Sequence, residues 1–308
     1  MSTTKENQLY QKTGIAVSLL AMNLLSKKVG DRLPTMAGYQ EEFKVSRGTI
    51  QNAFQYLKDS EAITIKSRGH LGSFIETIDY GRLQSHCIQK DLLGIMSLPY
   101  SANYEGFATA IYEALGRYHF NMAYSRGAVS RINLVETGSY QFAVCSQYAA
   151  EKAVSEGKDI EVVLNFGPKS FLSQHVLLLR DKEKNGIEDG MRVAYDPDSP
   201  DQSKLTREMI VGKNIKLVEL RTKNTVSALR DNKIDAGIWN YDAIELNQDE
   251  LKIVFLDRLP DVERLTAAVI VIKKNNYALK ELLLSSINIK RVMQTVEAVV
   301  KGKKKANY

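Results

Sequence analysis

The apolar positions of the first eighty residues fall at helical spacing three times and then begin to alternate. In "LYQKTGIAVSLLAMNLLSK", residues 9–27, Ile15, Leu19, Met22 and Leu25 recur every three or four positions, which predicts one helix with these four available to a core. Gly30 and Asp31 make a turn, Pro34 stops any earlier helix, and Thr35 can cap a short helix running to about Phe43. In "KVSRGTIQNAFQYL", residues 44–57, Ile50, Phe54 and Leu57 define a buried stripe with Ala53 beside them. Ser46 stands where an N-cap hydroxyl accepts an orphan backbone N–H. Arg47, Thr49, Gln51 and Asn52 then project from the exposed start of that helix. Downstream, Ala62–Lys66 and Ser73–Glu76 alternate around "SRGHLG", a hairpin pattern whose tip carries Arg68, Gly69 and His70. Helix, helix, helix and a basic-tipped hairpin is the order of a winged helix-turn-helix, with the third helix as reader.

Taken alone, the capped third helix is equally an ordinary surface helix. The neighbourhood decides between the two. "GDRLP", "VSRGTI" and "RGHLGSFI", in that order, resemble the G-x-x-L-P turn, V-S-R-x-T-V reader and G-x-G-[ST]-F-[VI] wing of GntR-type bacterial transcription regulators, over roughly residues 9–76. That resemblance implies that Arg32 and Thr35 meet the DNA backbone, Ser46, Arg47 and Thr49 the half-site, and the wing around Gly69 and His70 the adjacent groove. An exposed turn bearing Arg, Thr and Gln suits phosphates and base edges together. The chain also departs from the pattern: "MAGYQ" replaces a charged stretch, Gln51 stands where an arginine is common, Glu61 replaces a glycine, and the wing tip has one extra residue at His70–Leu71. These departures bear on operator preference more than on fold.

After a polar stretch at 77–90, expected to be a linker, strand and helix patterns alternate. "DLLGIMSLPY", "FNMAYSRG", "QFAVCS", "IEVVLNFG" and "HVLLLRD" are apolar strands, with helical segments after the first three. After "KNGIEDG" a second set begins: "MRVAYDPDSP", "IKLVELR" and "IDAGIWNYD" as strands, with helices between them. The chain returns through "LKIVFLDR" and "ERLTAAVIVIKK" to a closing helix at Tyr277–Val300. Near-continuous apolar strands predict mostly parallel sheets covered by helices, here in two lobes. The expected domains are 1–78, a winged helix-turn-helix of α+β class, and 91–308, a bilobal α/β domain whose second lobe spans about 180–250.

Ligands of such sheets sit beyond the carboxyl ends of the strands. Those ends supply Ser97, Tyr100, Ser101, Ser125, Arg126, Ser146, Asp196, Trp239 and Asn240 as candidate effector contacts. Several readings stay open. Trp239 is a ligand platform or a core residue. Arg126 is a clamp for a carboxylate or phosphate, or a surface ion-pair partner. Asp196, Asp198 and Asp201 hold an amine or belong to an ordinary capped loop, and His175 reads as a structural strand residue. "TVSALRDNKIDAGIWNYDAI" resembles the L-x-x-G-x-[IV]-D-A-[AG] element of the type II periplasmic-binding-protein fold, which also forms the effector domains of LysR-type regulators. A GntR-like reader joined to that fold resembles the YhfZ group of bacterial regulators.

Composition narrows the picture modestly. The 308 residues suit two or three domains, and 44% hydrophobic residues are ordinary for a packed core. No apolar run is long enough for a membrane span, and the polar start "MSTTKENQLYQK" is unlike a secretory signal. Cys87 and Cys145 have neither pairing nor metal-site spacing, so reduced thiols in a cytoplasmic protein are expected, with no metal and no cofactor. The net charge is +6, yet residues 1–80 carry ten Lys/Arg against eight Asp/Glu, so any DNA affinity depends on local placement. The phosphate-loop, nucleophile-elbow and zinc-protease motifs are missing. The expectation is a regulator that binds double-stranded DNA as a homodimer and answers a small anionic or zwitterionic metabolite. The rival is a small-molecule enzyme of the bilobal fold fused to a DNA reader.

Overall fold

Helix α1 (Ser2–Leu25), α2 (Met36–Phe43) and α3 (Arg47–Asp59) precede a hairpin of β1 (Ile63–Ser67) and β2 (Ser73–Ile78). The computed structural model describes residues 2–87, 91–244, 250–256, 259 and 261–308, with side chains from Lys12 onward. Residues 88–90 of the expected linker, and Asp257 and Arg258 of the expected strand "LKIVFLDR", lie outside the described residues.

The stripe of α3 is buried as its spacing predicts, through Ile50, Ala53, Phe54 and Leu57. Tyr39 of α2 meets Phe54 edge-on at 5.4 Å between ring centroids. On α1 the buried face is rotated from the expected one. Ala16, Val17, Leu20, Ala21, Leu24 and Leu25 are buried, whereas Ile15 and Leu19 are 49% and 38% exposed. The physical reason is close approach: α1 packs on α3 through a face that includes two alanines, which bring helix axes together better than larger side chains.

Local turn chemistry sets the entry to the reader helix. Thr35 caps α2 by accepting from Gly38 N–H, and Lys44 ends it in the left-handed region at φ 55°. Ser46 then caps α3 by accepting from Thr49 N–H at 3.2 Å. Glu61, ahead of the wing, also sits at φ 56°. A non-glycine residue there costs roughly 1–2 kcal/mol. Its exposed ion pair with Arg82 returns little of that. Glu61→Gly is therefore expected to raise stability by about 1 kcal/mol, read as a higher denaturation midpoint with unchanged denaturant dependence. A fall in the midpoint would show that the Arg82 pair outweighs the backbone.

The expected linker contains a helix, α4 (Tyr80–Ser85), capped by Asp79. It is tied down: Tyr80 donates to Lys27 O at 2.8 Å, and Gln84 Nε2 donates to His119 O at 2.7 Å. Tyr118 donates to Leu25 O at 3.0 Å, and Arg117 donates to Ser286 Oγ at 2.9 Å while stacking on Tyr80. Ala114–Asn121 and Asn276–Asn288 consequently cluster with the chain up to Leu92 in one compact unit. The hydrophobic pattern assigns those segments to the effector region; the anchoring tyrosines, arginine and glutamine are polar side chains that pattern cannot rank.

The second unit comprises Leu93–Glu113, Met122–Asn275 and Ile289–Tyr308. In chain order the remaining elements are β3 (Leu92–Met96), α5 (Ala102–Leu115), β4 (Phe120–Tyr124), α6 (Ala128–Glu136), β5 (Phe142–Ser146), α7 (Gln147–Ser155) and β6 (Ile160–Asn165). Then follow β7 (His175–Leu179), β8 (Arg192–Tyr195), α8 (Pro200–Met209), β9 (Lys216–Glu219), α9 (Thr225–Arg230), β10 (Ala236–Asn240) and β11 (Lys252–Phe255). The chain ends with α10 (Val262–Thr266), β12 (Ala268–Lys273), α11 (Tyr277–Ser286) and α12 (Ile289–Val300). The strands form two five-stranded sheets, ordered β4-β3-β5-β12-β6 and β11-β7-β10-β8-β9.

Both sheets are mixed: strands run mostly one way, as expected, but β12 in one sheet and β7 in the other are reversed. β12 runs antiparallel to β5 and β6, and β7 runs antiparallel to β10 and β11, while β3–β5, β8–β9 and β8–β10 are parallel. Continuous apolar strands report burial on both faces and carry no information on direction. β7, expected with the first lobe, belongs to the second sheet. The expected closing helix is two helices, separated where Ile287 turns extended. Each lobe has its own core, one around Ile132, Val144's neighbours Ala143 and Cys145, and Val269, the other around Leu177, Val193, Leu205 and Ile238.

Candidate DNA-facing surface and candidate effector site

On the first unit, Arg32, Thr35, Ser46, Arg47, Gln51, Arg68, Gly69 and His70 are exposed, and Thr49 is half-buried. Ser46 and Thr49 hydroxyls lie 2.8 Å apart, so they engage each other at the helix start. Arg47 and Gln51 stand exposed on the first turns of α3, beside its buried stripe. Arg68 stacks over Phe74 at 4.8 Å, which fixes the base of the wing tip. Gly69–Leu71 forms a single 3-10 turn, and Gly72 takes φ 94°. A Cβ on Gly72 would meet Arg32 Nε at 3.0 Å, so the tip and the arginine expected at the DNA backbone are closely packed.

On the second unit, the strand ends converge on a buried arginine that is not one of the expected contacts. Arg131 of α6 is 3% exposed. Its Nε donates to Val144 O at 3.2 Å and its Nη1 to Ser125 O at 2.8 Å. Among the described residues the guanidinium makes no direct ion pair, although Asp201 bears on it electrostatically. Tyr104, Tyr100 and Asp201 are the charged or polar side chains that bear on it, with Cys145. A buried charge without a carboxylate partner costs several kcal/mol relative to a paired one.

Around it stand both lobes. Ser146, the N-cap of α7, accepts from Ala149 N–H at 3.1 Å and donates to Asp201 Oδ1 of α8 at 2.7 Å. Asn103 Nδ2 donates to Asp242 Oδ2 at 2.9 Å. Asp242 also accepts from Ser173 N–H at 2.7 Å and from the Ser173 hydroxyl. Asn240 is buried; its Oδ1 accepts from Asp242 N–H at 3.0 Å, while its Nδ2 makes no well-formed hydrogen bond and lies within reach of the Tyr100 hydroxyl. Tyr100 stacks edge-on against Tyr104, and Tyr104 against Phe171. Tyr100 keeps half its surface exposed, yet its hydroxyl lies within the influence of Tyr104, Arg131 and Asn240. The arrangement presents a buried guanidinium and a buried amide to an acceptor group.

Of the expected contacts, Ser101, Ser125, Ser146, Tyr100 and Asn240 fall around this cluster, and Ser97 is buried at the end of β3. Three do not join it. Arg126 is exposed. Asp196 is used within its own lobe, accepting from Thr222 N–H and Oγ1, each at 2.7 Å, and from Asp198 N–H at 3.1 Å. Trp239 packs into the second-lobe core with Val176, Leu178 and Leu229, on the opposite face of β10 from Asn240. Arg131, Tyr104 and Asp242 were not among the expected contacts, and the sequence reads Asp201 as an amine holder or a residue of an ordinary capped loop. Arg131 had a signal: it is a charge on the apolar stripe Ala128, Ile132, Val135 of its own helix.

Burial pushes the Asp201 carboxyl up to about 7, against the pull of the Ser146 hydroxyl and Arg131. The unfolded chain ionises it near 3.8, so its stabilising contribution is complete below that pH and is lost as pH rises through about 7. His175 behaves oppositely: burial pushes it down to about 4, so its contribution is present above about 6.5 and lost as pH falls. Asp201→Asn removes only the first effect. The variant's melting temperature relative to wild type is expected to rise between about pH 4 and pH 7 and to level off above that. A difference independent of pH would show that Asp201 is ionised throughout.

Among the described residues, no helix is long and apolar enough to cross a membrane, and no group of three His, Cys, Asp or Glu side chains is placed to hold a metal ion. Residues 79–308 match the family described as the YhfZ C-terminal domain, and residues 28–75 match a helix-turn-helix domain. The chain is 29% identical over 303 residues to the uncharacterized protein YhfZ of Escherichia coli K12, covering 97% of this chain and 98% of that one. The crystal structure of YhfZ from Shigella flexneri superposes with TM-score 0.62 at 27% identity, covering 73% of this chain and 96% of that one. An ancestral arginine-binding protein bound to arginine superposes with TM-score 0.51 at 13% identity, over 69% and 97% of the two chains, a likeness of fold. A helix-turn-helix domain is thus joined to a domain with the fold of small-molecule binding proteins.

Proposed function

Since the chain belongs to the family of the YhfZ C-terminal domain and carries a helix-turn-helix ahead of it, we propose that it is a DNA-binding transcription regulator whose operator affinity answers a small polar effector held between its two α/β lobes. Arg131 is the observation that carries the reading. A protein with no use for a buried, unpaired guanidinium gains stability by replacing it, and a ligand acceptor group removes the cost while bound.

In this reading Arg47 and its neighbours on α3 read a half-site and the Arg68–His70 wing follows the adjacent groove, in the manner of GntR-type readers. The protein acts in the cytoplasm as a homodimer on a palindromic site. Effector binding changes how the lobes meet across Ser146–Asp201 and Asn103–Asp242. Tyr80, Gln84, Arg117 and Tyr118 bind segments of the effector sequence into the reader's own unit, which supports a mechanical link from one to the other. A coupling of roughly 1–3 kcal/mol suffices to switch occupancy.

The test is fluorescence anisotropy on an operator selected from random DNA, with and without pooled acidic and zwitterionic metabolites. A shift of operator affinity by about 5-fold or more is expected with at least one pool. Sedimentation velocity on the same samples is expected to give a dimer, free and on DNA. A monomer in both would remove the dimer and the half-site mechanism.

A further inference from the structure

Asp201 lies where a ligand would. It belongs to the first turn of α8 in the second lobe, is 8% exposed, and places its carboxylate 2.7 Å from Ser146 Oγ at the N-terminus of α7 in the first lobe. A helix N-terminus attracts an anion through its free N–H groups and its dipole. Two features indicate that Asp201 fills this position incompletely. Arg131 feels the carboxylate but makes no ion pair among the described residues. Asn240 Nδ2, buried on the second-lobe strand end, makes no well-formed hydrogen bond and has only the Tyr100 hydroxyl acting on it.

Resting on the reading that an effector binds between the lobes, we infer that Asp201 is a built-in competitor for the acidic group of that effector. In the free protein Asp201 takes the place at Ser146 and the α7 N-terminus. An arriving carboxylate or phosphate displaces it and completes the site by pairing with Arg131 and the Asn240 amide. Asp201 and an arriving acid cannot both hold Ser146 and the α7 N-terminus, and where both are ionised their charges repel as well. Asp201 must therefore withdraw, and the first turn of α8 moves with it. The loop leading into that turn is closely packed on the first lobe: a Cβ on Gly127, the residue capping α6, would meet Asp198 Cβ at 3.0 Å and Asp198 O at 3.1 Å. Displacing Asp201 is thus felt at the helix that carries Arg131. The competitor sets a threshold, so that only a ligand able to outbid an intramolecular carboxylate opens the contact.

The test titrates the full chain with inorganic phosphate and with acetate by calorimetry. The proteins are wild type, Asp201→Asn, Asp201→Ala, Asp198→Asn, and Asp201→Ala combined with Arg131→Gln. Removing the competing charge is expected to tighten binding of one probe at least 10-fold in both Asp201 variants. Asp198→Asn should change it less than 2-fold, and adding Arg131→Gln should cancel the gain. The probe that gains identifies the group as phosphate or carboxylate. Asp201→Asn keeps the shape and the acceptor for Ser146, so it decides the matter if the alanine variant unfolds in a thermal scan. No gain beyond 2-fold for either probe in Asp201→Asn, or a gain that survives Arg131→Gln, overturns the inference. An effector that needs Arg131 and Asn240 yet ignores Asp201 leaves the functional reading standing and removes only the competitor.

Discussion

An Arg131→Met protein is expected to fold, to bind operator DNA with wild-type affinity, and to lose its response to effector. The side chain is buried, and methionine fills much the same volume without a charge. Two carbonyls, Val144 O and Ser125 O, lose a donor, each costing about 1–3 kcal/mol if left unsatisfied. Against this stands relief from burying an unpaired charge, a cost of several kcal/mol. The two nearly cancel, so melting temperature is expected to stay within a few degrees. Effector binding does not cancel. Losing the guanidinium opposite a buried acidic group costs about 2–5 kcal/mol, a loss of 30-fold to several thousand-fold in affinity. Arg126→Ala is the control: the side chain is exposed, and less than a 3-fold change is expected. Calorimetry on both variants checks the pair. Equal losses would move the site to the rim where Arg126 stands.

Arg47→Ala is expected to weaken operator binding by about 1–3 kcal/mol, the loss from one bidentate contact to a guanine edge. The side chain is exposed on the first turn of α3 and makes no ion pair among the described residues, so the free protein has nothing to lose. Thermal stability should be unchanged. Gln51→Ala, one turn further along the same exposed face, is expected to relax sequence preference with a smaller loss of affinity. Gel-shift titration at two salt concentrations separates the cases: if Arg47 contacts phosphate alone, the loss is uniform across sequences and the salt dependence falls by about one charge. Affinity within error of wild type would mean that α3 is not the reader.

Much of the reader unit was legible because its signals are local. A cap at Ser46, a stripe at Ile50, Ala53, Phe54 and Leu57, and a glycine-bearing hairpin each leave a mark within a few residues. The rotation of α1 was not, since which of two neighbouring apolar faces packs depends on the partner helix. Strand direction was equally hidden: β7 and β12 read as continuous apolar strands whichever way they run. The effector cluster was half legible. Topology placed Ser101, Ser125, Ser146 and Asn240 near one another, because each follows a strand. It also favoured Arg126 over Arg131, since Arg126 follows a strand directly whereas Arg131 reaches the same corner from within α6. Trp239 misled for a related reason. Side chains alternate along β10, so Asn240 and Trp239 lie on opposite faces although they are adjacent in sequence.

The most direct measurement is a thermal-shift screen of the full chain against acidic and zwitterionic metabolites, with wild type and Arg131→Met side by side, since a bound ligand raises apparent stability by mass action. The full chain is required because Ala114–Asn121 and Asn276–Asn288 cluster with the reader. The expected result is one or a few compounds that stabilise wild type, do nothing to Arg131→Met, and shift operator affinity at the same concentration. Compounds that stabilise both proteins equally, with operator affinity unmoved, would contradict an effector held at Arg131 between the lobes.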